Sequence, residues 1–150
     1  MAFPQGIQGI GGGPELFLRP ALVFSVLDCH LAGAADLADP SQGYLELADE
    51  ARAGLIKRAH DLGASLIEMH SHPGPWPAAF SLTDRVGLRE TVPHMWWRLK
   101  GKPYVALVVA HSGFDALVWL DDRRVPRPLD GLLVGDEQFS PTNNSLEGWS

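Results

Sequence analysis

The chain has 150 residues, of which 45% are hydrophobic, and this size and apolar content suit one folded domain and exclude disorder of the whole chain. Its 18 acidic and 12 basic residues give a net charge of −6, and no lysine or arginine cluster provides the electrostatic footprint of nucleic-acid binding. The sequence shows no apolar run long enough to span a membrane, no secretory signal and only one cysteine, so we expect a cytoplasmic protein without an intrachain disulfide.

The first half of the chain predicts short strands followed by one helix. A Gly- and Pro-rich segment over residues 1–14 is expected to be flexible. The apolar, β-favouring segments after it predict strands at 15–18, 21–31 and 44–47. Apolar residues then recur at helical spacing and predict a helix over 49–62, which Gly63 ends.

The second half predicts the rest of a central sheet and a second helix. A strand is predicted at 64–70, and a helix from 81 to about 92 that Pro93 ends. Further strands are predicted at 103–111, 114–120 and 132–134. The chain shows no repeat, so we predict one mixed α/β domain over 15–135, with a central sheet flanked by two helices, and a polar tail over 136–150.

The candidate site begins where the strand at 64–70 ends. Residues two apart on a strand point to the same side, so His70 and His72 can direct their rings at one point before Pro73 stops the strand. Ser81-Leu82-Thr83-Asp84 predicts a first helical turn that brings Asp84 back to this point, although Ser-x-x-Asp is also an ordinary helix cap. Imidazole and carboxylate suit zinc, and three protein ligands leave the open fourth position of a catalytic site.

His70-Ser71-His72-Pro73, a short loop and then Ser81-Leu82-Thr83-Asp84 resemble the JAMM motif of the JAB1/MPN/Mov34 metalloproteases, in their prokaryotic JAB-domain type, over roughly residues 20–120. The resemblance implies a layered JAB1/MPN fold similar to that of the cytidine deaminases, and one Zn²⁺ per chain held by His70, His72 and Asp84. It implies that Ser81 stabilises an oxyanion during hydrolysis of a peptide or isopeptide bond. The implied substrate is a protein or peptide, such as the tail of a ubiquitin-like protein. The loop, residues 73–80, is one residue longer than is usual in the family.

The family also requires a glutamate as general base, and two residues are candidates. Glu15 starts a short apolar run and is the best match to the family's position in the sequence. Glu68 lies two residues before His70, so on a strand it shares a face with both histidines and could act as a substitute base or as a partner of a ligand. Either residue could equally be an ordinary strand carboxylate, and a truncated N-terminus would also remove the family's glutamate.

Other interpretations stay open beside the hydrolase. Without a general base, the chain would be an inactive MPN-like module that binds proteins, and a plain α/β domain with a fortuitous motif is a further alternative. Amidohydrolase barrels need a far longer chain, and Gly74 and Pro75 occupy the positions where a metallo-β-lactamase-like motif has ligands. Trp76 lies in the loop between the ligands, where it either borders the site and holds an extended peptide or packs on the helix. The sequence predicts no particular oligomeric state.

Overall fold

A computed structural model describes residues 2–4, 22–39, 41 and 46–149 of the chain. The chain divides into two compact units, Met1–Ala64 and Ser65–Ser150. The described residues form a small three-stranded sheet, two short strand pairs and two α-helices, which confirms the predicted mixed α/β class. None of these helices has the length and the apolar character that crossing a membrane requires.

The first unit contains one strand pair and the helix α1. Strand β1 (Ala2–Pro4) pairs antiparallel with β2 (Phe24–Val26), and a single 3₁₀ turn follows at Ala34–Asp36. Helix α1 (Asp49–Asp61) starts with two acidic residues, which complement the positive end of the helix dipole. Gly63 follows it with φ of 62°, a left-handed conformation that glycine adopts without strain, so the predicted end of this helix is confirmed.

The predicted strand over 21–31 is much shorter in the structure. Among the described residues 22–31, only Phe24–Val26 pair with another strand. Leu31 is 92% exposed, so this apolar segment lacks the covering layer that would have favoured a longer strand. The predicted strand at 15–18 lies outside the described residues, and in the segment 44–47 Leu47 forms only an isolated bridge with Leu37.

The second unit is built on a strand–helix–strand crossover. Strand β3 (Leu66–Ser71) runs parallel to β4 (Tyr104–Ala110), and helix α2 (Leu82–Arg98) connects them. Strand β5 (Gly113–Trp119) then pairs antiparallel with β4, which gives the sheet order β3-β4-β5 and confirms the predicted hairpin. In this topology, the carboxyl end of β3 leads directly into the loop that precedes α2.

The core of the second unit lies around β4 and β5. Every residue from Tyr104 to Val108 and from Phe114 to Trp119 is buried. Helix α2 contacts β4 and contains the buried residues Leu88, Val92 and Met95. Burial of each such side chain contributes about 1.5–3 kcal/mol, so together these residues hold the middle of α2 in the core.

Pro93 does not end α2, so the predicted end near residue 92 is wrong. Proline lacks the N–H group that would donate to the carbonyl of Arg89, a loss that costs about 3 kcal/mol in a helix interior. The helix nevertheless runs on to Arg98, because Val92 and Met95 are buried on either side of Pro93 and anchor both halves. The packing of the helix therefore outweighs the missing hydrogen bond.

The last part of the chain forms a second strand pair and then packs into the second unit. Strand β6 (Leu132–Val134) is confirmed, and it pairs antiparallel with β7 (Glu137–Phe139). The segment predicted as a polar tail contains β7 as well as two buried residues, Ser145 and Trp149. The ring of Trp149 lies edge-on to that of Trp119, with centroids 5.4 Å apart.

Candidate metal centre

The two histidines of the site project from the carboxyl end of β3. His70 lies within the strand, in register with Val108 of β4. His72 follows the last strand residue, but its N–H donates to the carbonyl of Val109 at 2.9 Å, which continues the extended pairing by one residue. Alternation along this extended backbone places both rings on one side, and their Nε2 atoms lie 3.2 Å apart. This confirms that the two side chains converge.

The third residue comes from the first turn of α2. Ser81 caps the helix, since its backbone N–H donates to Asp84 Oδ2 at 2.7 Å and its Oγ accepts from the Asp84 N–H at 3.2 Å. This reciprocal pair fixes the carboxylate of Asp84, which faces the two rings. Asp84 Oδ1 lies 3.5 Å from His70 Nε2, and Oδ2 lies 3.2 Å from His72 Nε2.

These separations match the edges of a metal coordination polyhedron. A tetrahedral ion that holds its ligands at about 2.0–2.1 Å spaces them about 3.3 Å apart. The His70–His72 and His–Asp84 separations of 3.2 to 3.5 Å lie around that value. The two separations from Asp84 involve different carboxylate oxygens, and one ligand atom from each residue lies within 4.8 Å of the others, so the three residues could hold a metal ion.

The charges at the site are mutually dependent. Burial raises the pKa of the Asp84 carboxyl, but hydrogen bonds from His70 and Ser81 outweigh this and bring its pKa well below the usual range. The hydrogen bond with Asp84 raises the pKa of His70, against the opposing effect of burial, and the charges of Asp84 and Glu68 add to the increase. Without a metal, the site therefore favours an anionic carboxylate beside a protonated imidazole.

Of the two candidate general bases, the structure describes only Glu68. Glu68 is four residues before His72 on β3, and its Oε2 accepts a hydrogen bond of 2.5 Å from the hydroxyl of Tyr104. The group that could hold a metal ion among the described residues consists of His70, His72 and Asp84, without Glu68. Glu15 lies outside the described residues, so its predicted role stays a prediction.

Two aromatic residues of the loop before α2 differ in their surroundings. The ring of Phe80 is buried and lies edge-on to His70, with centroids 5.9 Å apart. Trp76 is 76% exposed, so the alternative that it packs on the helix is wrong. Its predicted contact with an extended peptide stays a prediction.

Sequence reasoning missed two buried polar residues behind this loop. Asp115 on β5 and Ser145 near the end of the chain are both fully buried. Ser145 Oγ accepts a hydrogen bond of 2.7 Å from the N–H of Phe80, which directly precedes the capping residue Ser81. No local pattern predicts this contact, because its partners are 65 residues apart in the chain.

Comparison of the chain with protein-family models, curated proteins and solved structures gives no match. The similarity to the JAMM motif therefore rests on the motif residues alone, and the functional argument starts from the geometry of His70, His72 and Asp84.

Proposed function

We propose that the protein is a zinc-dependent hydrolase of the JAMM type that cleaves a peptide or isopeptide bond in a protein or peptide substrate. One observation carries the proposal: two imidazole nitrogens and a carboxylate converge at 3.2 to 3.5 Å from one another at a strand end. Converging groups of this kind are costly unless they bind a proton or a metal ion, because their lone pairs repel one another.

The choice of zinc follows from the donor set and its accessibility. Two imidazoles and one carboxylate are ligands that zinc accepts readily, and catalytic zinc sites keep three protein ligands with one open position. The ligand side chains are 21% to 35% exposed, so water and substrate can approach them. A zinc ion bound there would lower the pKa of a bound water and polarise a carbonyl group.

Ser81 is placed to assist at a developing oxyanion. Its Oγ already accepts the N–H of Asp84, but its own hydroxyl proton can still be donated. Ser81 is exposed beside Asp84, so in this proposal its hydroxyl donates to the oxygen of the scissile carbonyl as negative charge develops. Its capping role and this role are compatible, because they use different parts of the hydroxyl group.

The general base is assigned to a glutamate, with Glu68 and Glu15 as the candidates. A base takes a proton from the attacking water and returns it to the leaving amine. Glu68 lies near enough for its charge to raise the pKa of His70. Glu15 is the better match to the position that the general-base glutamate has in the sequences of the family.

The proposal is tested by metal content together with hydrolysis. We expect about one zinc per chain in protein purified without added metal, little in His70→Ala, and normal content in the control His111→Ala, which removes an exposed histidine. The zinc-containing protein should cleave a ubiquitin-like fusion or an isopeptide-linked model substrate, and chelation should abolish this cleavage. Protein that remains free of zinc after zinc is added, or cleavage that persists in His70→Ala, would contradict the proposal.

A metal-binding interaction module without catalysis is the second candidate. It is favoured by the Tyr104–Glu68 hydrogen bond, which engages one of the two candidate bases. Stoichiometric zinc with no cleavage of any ubiquitin-like fusion or peptide would select this module over the hydrolase. Both candidates keep two expectations: a ubiquitin-like partner, which the resemblance implies, and a cytoplasmic location, which the single cysteine suggests.

A further inference from the structure

We propose that residues 142–149, the C-terminal segment, position the metal centre. This segment holds both the loop that precedes α2 and the first two turns of α2, and Ser145 is the main positioning residue. This inference rests on the proposed metal site and adds that the geometry of the site depends on a segment about sixty residues further along the chain. All of the contacts involved lie within the second unit.

The first set of contacts fixes the backbone just before the helix. Ser145 Oγ accepts the Phe80 N–H at 2.7 Å in a fully buried position. The carbonyl of Ala78 accepts from Thr142 Oγ1 at 2.7 Å and from Asn144 Nδ2 at 3.2 Å. Three hydrogen bonds from the C-terminal segment therefore hold the two residue positions that lead into Ser81.

The C-terminal segment is in turn anchored to the sheet. The N–H of Ser145 donates to Asp115 Oδ2 at 2.9 Å, and Asp115 Oδ1 accepts the N–H of Ala116 at 2.9 Å. The N–H of Thr142 also donates to the carbonyl of Phe114 at 2.9 Å. The loop before α2 is thus tied through Ser145 to β5, which belongs to the same sheet as the strand that carries the two histidines.

The second set of contacts holds the helix just after Asp84. Arg85 Nη1 donates to the carbonyl of Glu147 at 3.1 Å. One turn later, the guanidinium of Arg89 lies 5.0 Å from the ring centroid of Trp149 and donates to its carbonyl at 3.4 Å. The first two turns of α2 are therefore held by the same segment that holds the preceding loop.

These contacts matter for the metal because its ligands come from two elements. His70 and His72 are fixed by β3, whereas Asp84 is fixed by the start of α2, so the distance between the donors depends on how the helix is placed against the sheet. A metal ligand must lie within about 0.2 Å of its ideal distance, and partners that orient a ligand typically change affinity by about 10–100-fold. The C-terminal segment is suited to provide this precision.

The test measures Co²⁺ binding, because the visible absorption of Co²⁺ reports its coordination geometry as well as its affinity. Ser145→Ala removes the acceptor of the Phe80 N–H and should weaken Co²⁺ binding about tenfold, with a change in the absorption spectrum. The matched control Ser140→Ala alters an exposed serine of the same region and should leave both unchanged. The melting temperature of each metal-free variant is measured alongside.

A second pair of variants covers the case in which Ser145→Ala does not fold. Thr142 is exposed, so Thr142→Val removes its hydrogen bond to Ala78 with little effect on the core, and Thr142→Ser keeps that bond. Weaker Co²⁺ binding in the valine variant, with wild-type binding in the serine variant, would support the inference. Folded Ser145→Ala or Thr142→Val protein with an unchanged spectrum and an affinity within twofold of the wild type would overturn it. Wild-type protein that binds no Co²⁺ would instead refute the metal site itself.

Discussion

Replacing Asp84 with asparagine separates the two roles that this side chain has in the structure. Asp84 accepts the Ser81 N–H at 2.7 Å as part of the helix cap, and it also faces both imidazoles at 3.2 to 3.5 Å. Asparagine has nearly the same shape and retains an oxygen that can accept the Ser81 N–H. Asp84→Asn therefore keeps most of the cap but loses the anionic ligand.

The structure predicts a small effect of Asp84→Asn on stability and a large effect on zinc affinity. At a pH above the raised pKa of His70, where the imidazole is neutral, loss of the negative charge near the helix N-terminus costs about 0.3–1 kcal/mol of stability. Loss of a partner that only orients a ligand weakens metal binding by about 10–100-fold, so loss of the anionic ligand itself should weaken zinc binding by more than about 100-fold, or roughly 2.8 kcal/mol. The effect on zinc binding should clearly exceed the effect on folding.

Titration calorimetry with a competing chelator measures the zinc affinity, and thermal melting of the metal-free protein measures the stability. Glu90→Gln is the matched control, since it removes an exposed carboxylate from the same helix. We expect the control to bind zinc as the wild type does. Asp84→Asn protein that is folded and binds zinc within threefold of the wild type would refute the assignment of Asp84 as a ligand.

The same site gives four further predictions. Ser81→Ala should keep zinc and lose about 100-fold or more in hydrolysis rate, with about 1 kcal/mol lost from the helix cap; full activity would contradict the oxyanion role. Because the pKa of His70 is raised above 6.5, zinc affinity should fall on acidification from a pH above 6.5. The stability of the metal-free protein should instead rise on acidification, since its His70–Asp84 pair stabilises the fold below about pH 6.5 and is lost as pH rises through the raised pKa of His70. A melting series from pH 5.5 to about 8.5, with His70→Ala as reference, shows whether stability and zinc affinity change in opposite directions with pH. Glu68→Gln should retain zinc and abolish hydrolysis if Glu68 is the base, whereas unchanged hydrolysis would leave Glu15 as the candidate.

The convergence of the ligands could be predicted from the sequence because each part of it depends on local rules. Strand alternation places His70 and His72 on one side, and the Ser-x-x-Asp pattern begins a helix with Asp84 in its first turn. The loop of residues 73–80, although longer than is usual for the motif, still returns the chain to the strand end. Local periodicity and capping were sufficient for this part of the site.

The features that were missed depend on contacts between distant parts of the chain. The end of α2 was predicted from Pro93 alone, whereas buried Val92 and Met95 decide how far the helix extends. The segment 136–150 has the polar composition of a tail, yet Ser145 is buried where it joins Phe80 to Asp115. Such contacts produce no periodic pattern in the sequence, because the partners are far apart in the chain and meet only in the folded protein.

A crystal structure of the protein grown with Zn²⁺, with anomalous data collected on both sides of the zinc edge, would locate the metal directly. We expect one anomalous peak about 2.0–2.1 Å from the Nε2 atoms of His70 and His72 and about 2.0–2.2 Å from a carboxylate oxygen of Asp84. The distance between the two Nε2 atoms should stay close to the 3.2 Å found here. An absence of zinc between these three residues, or zinc bound only elsewhere on the chain, would contradict the account.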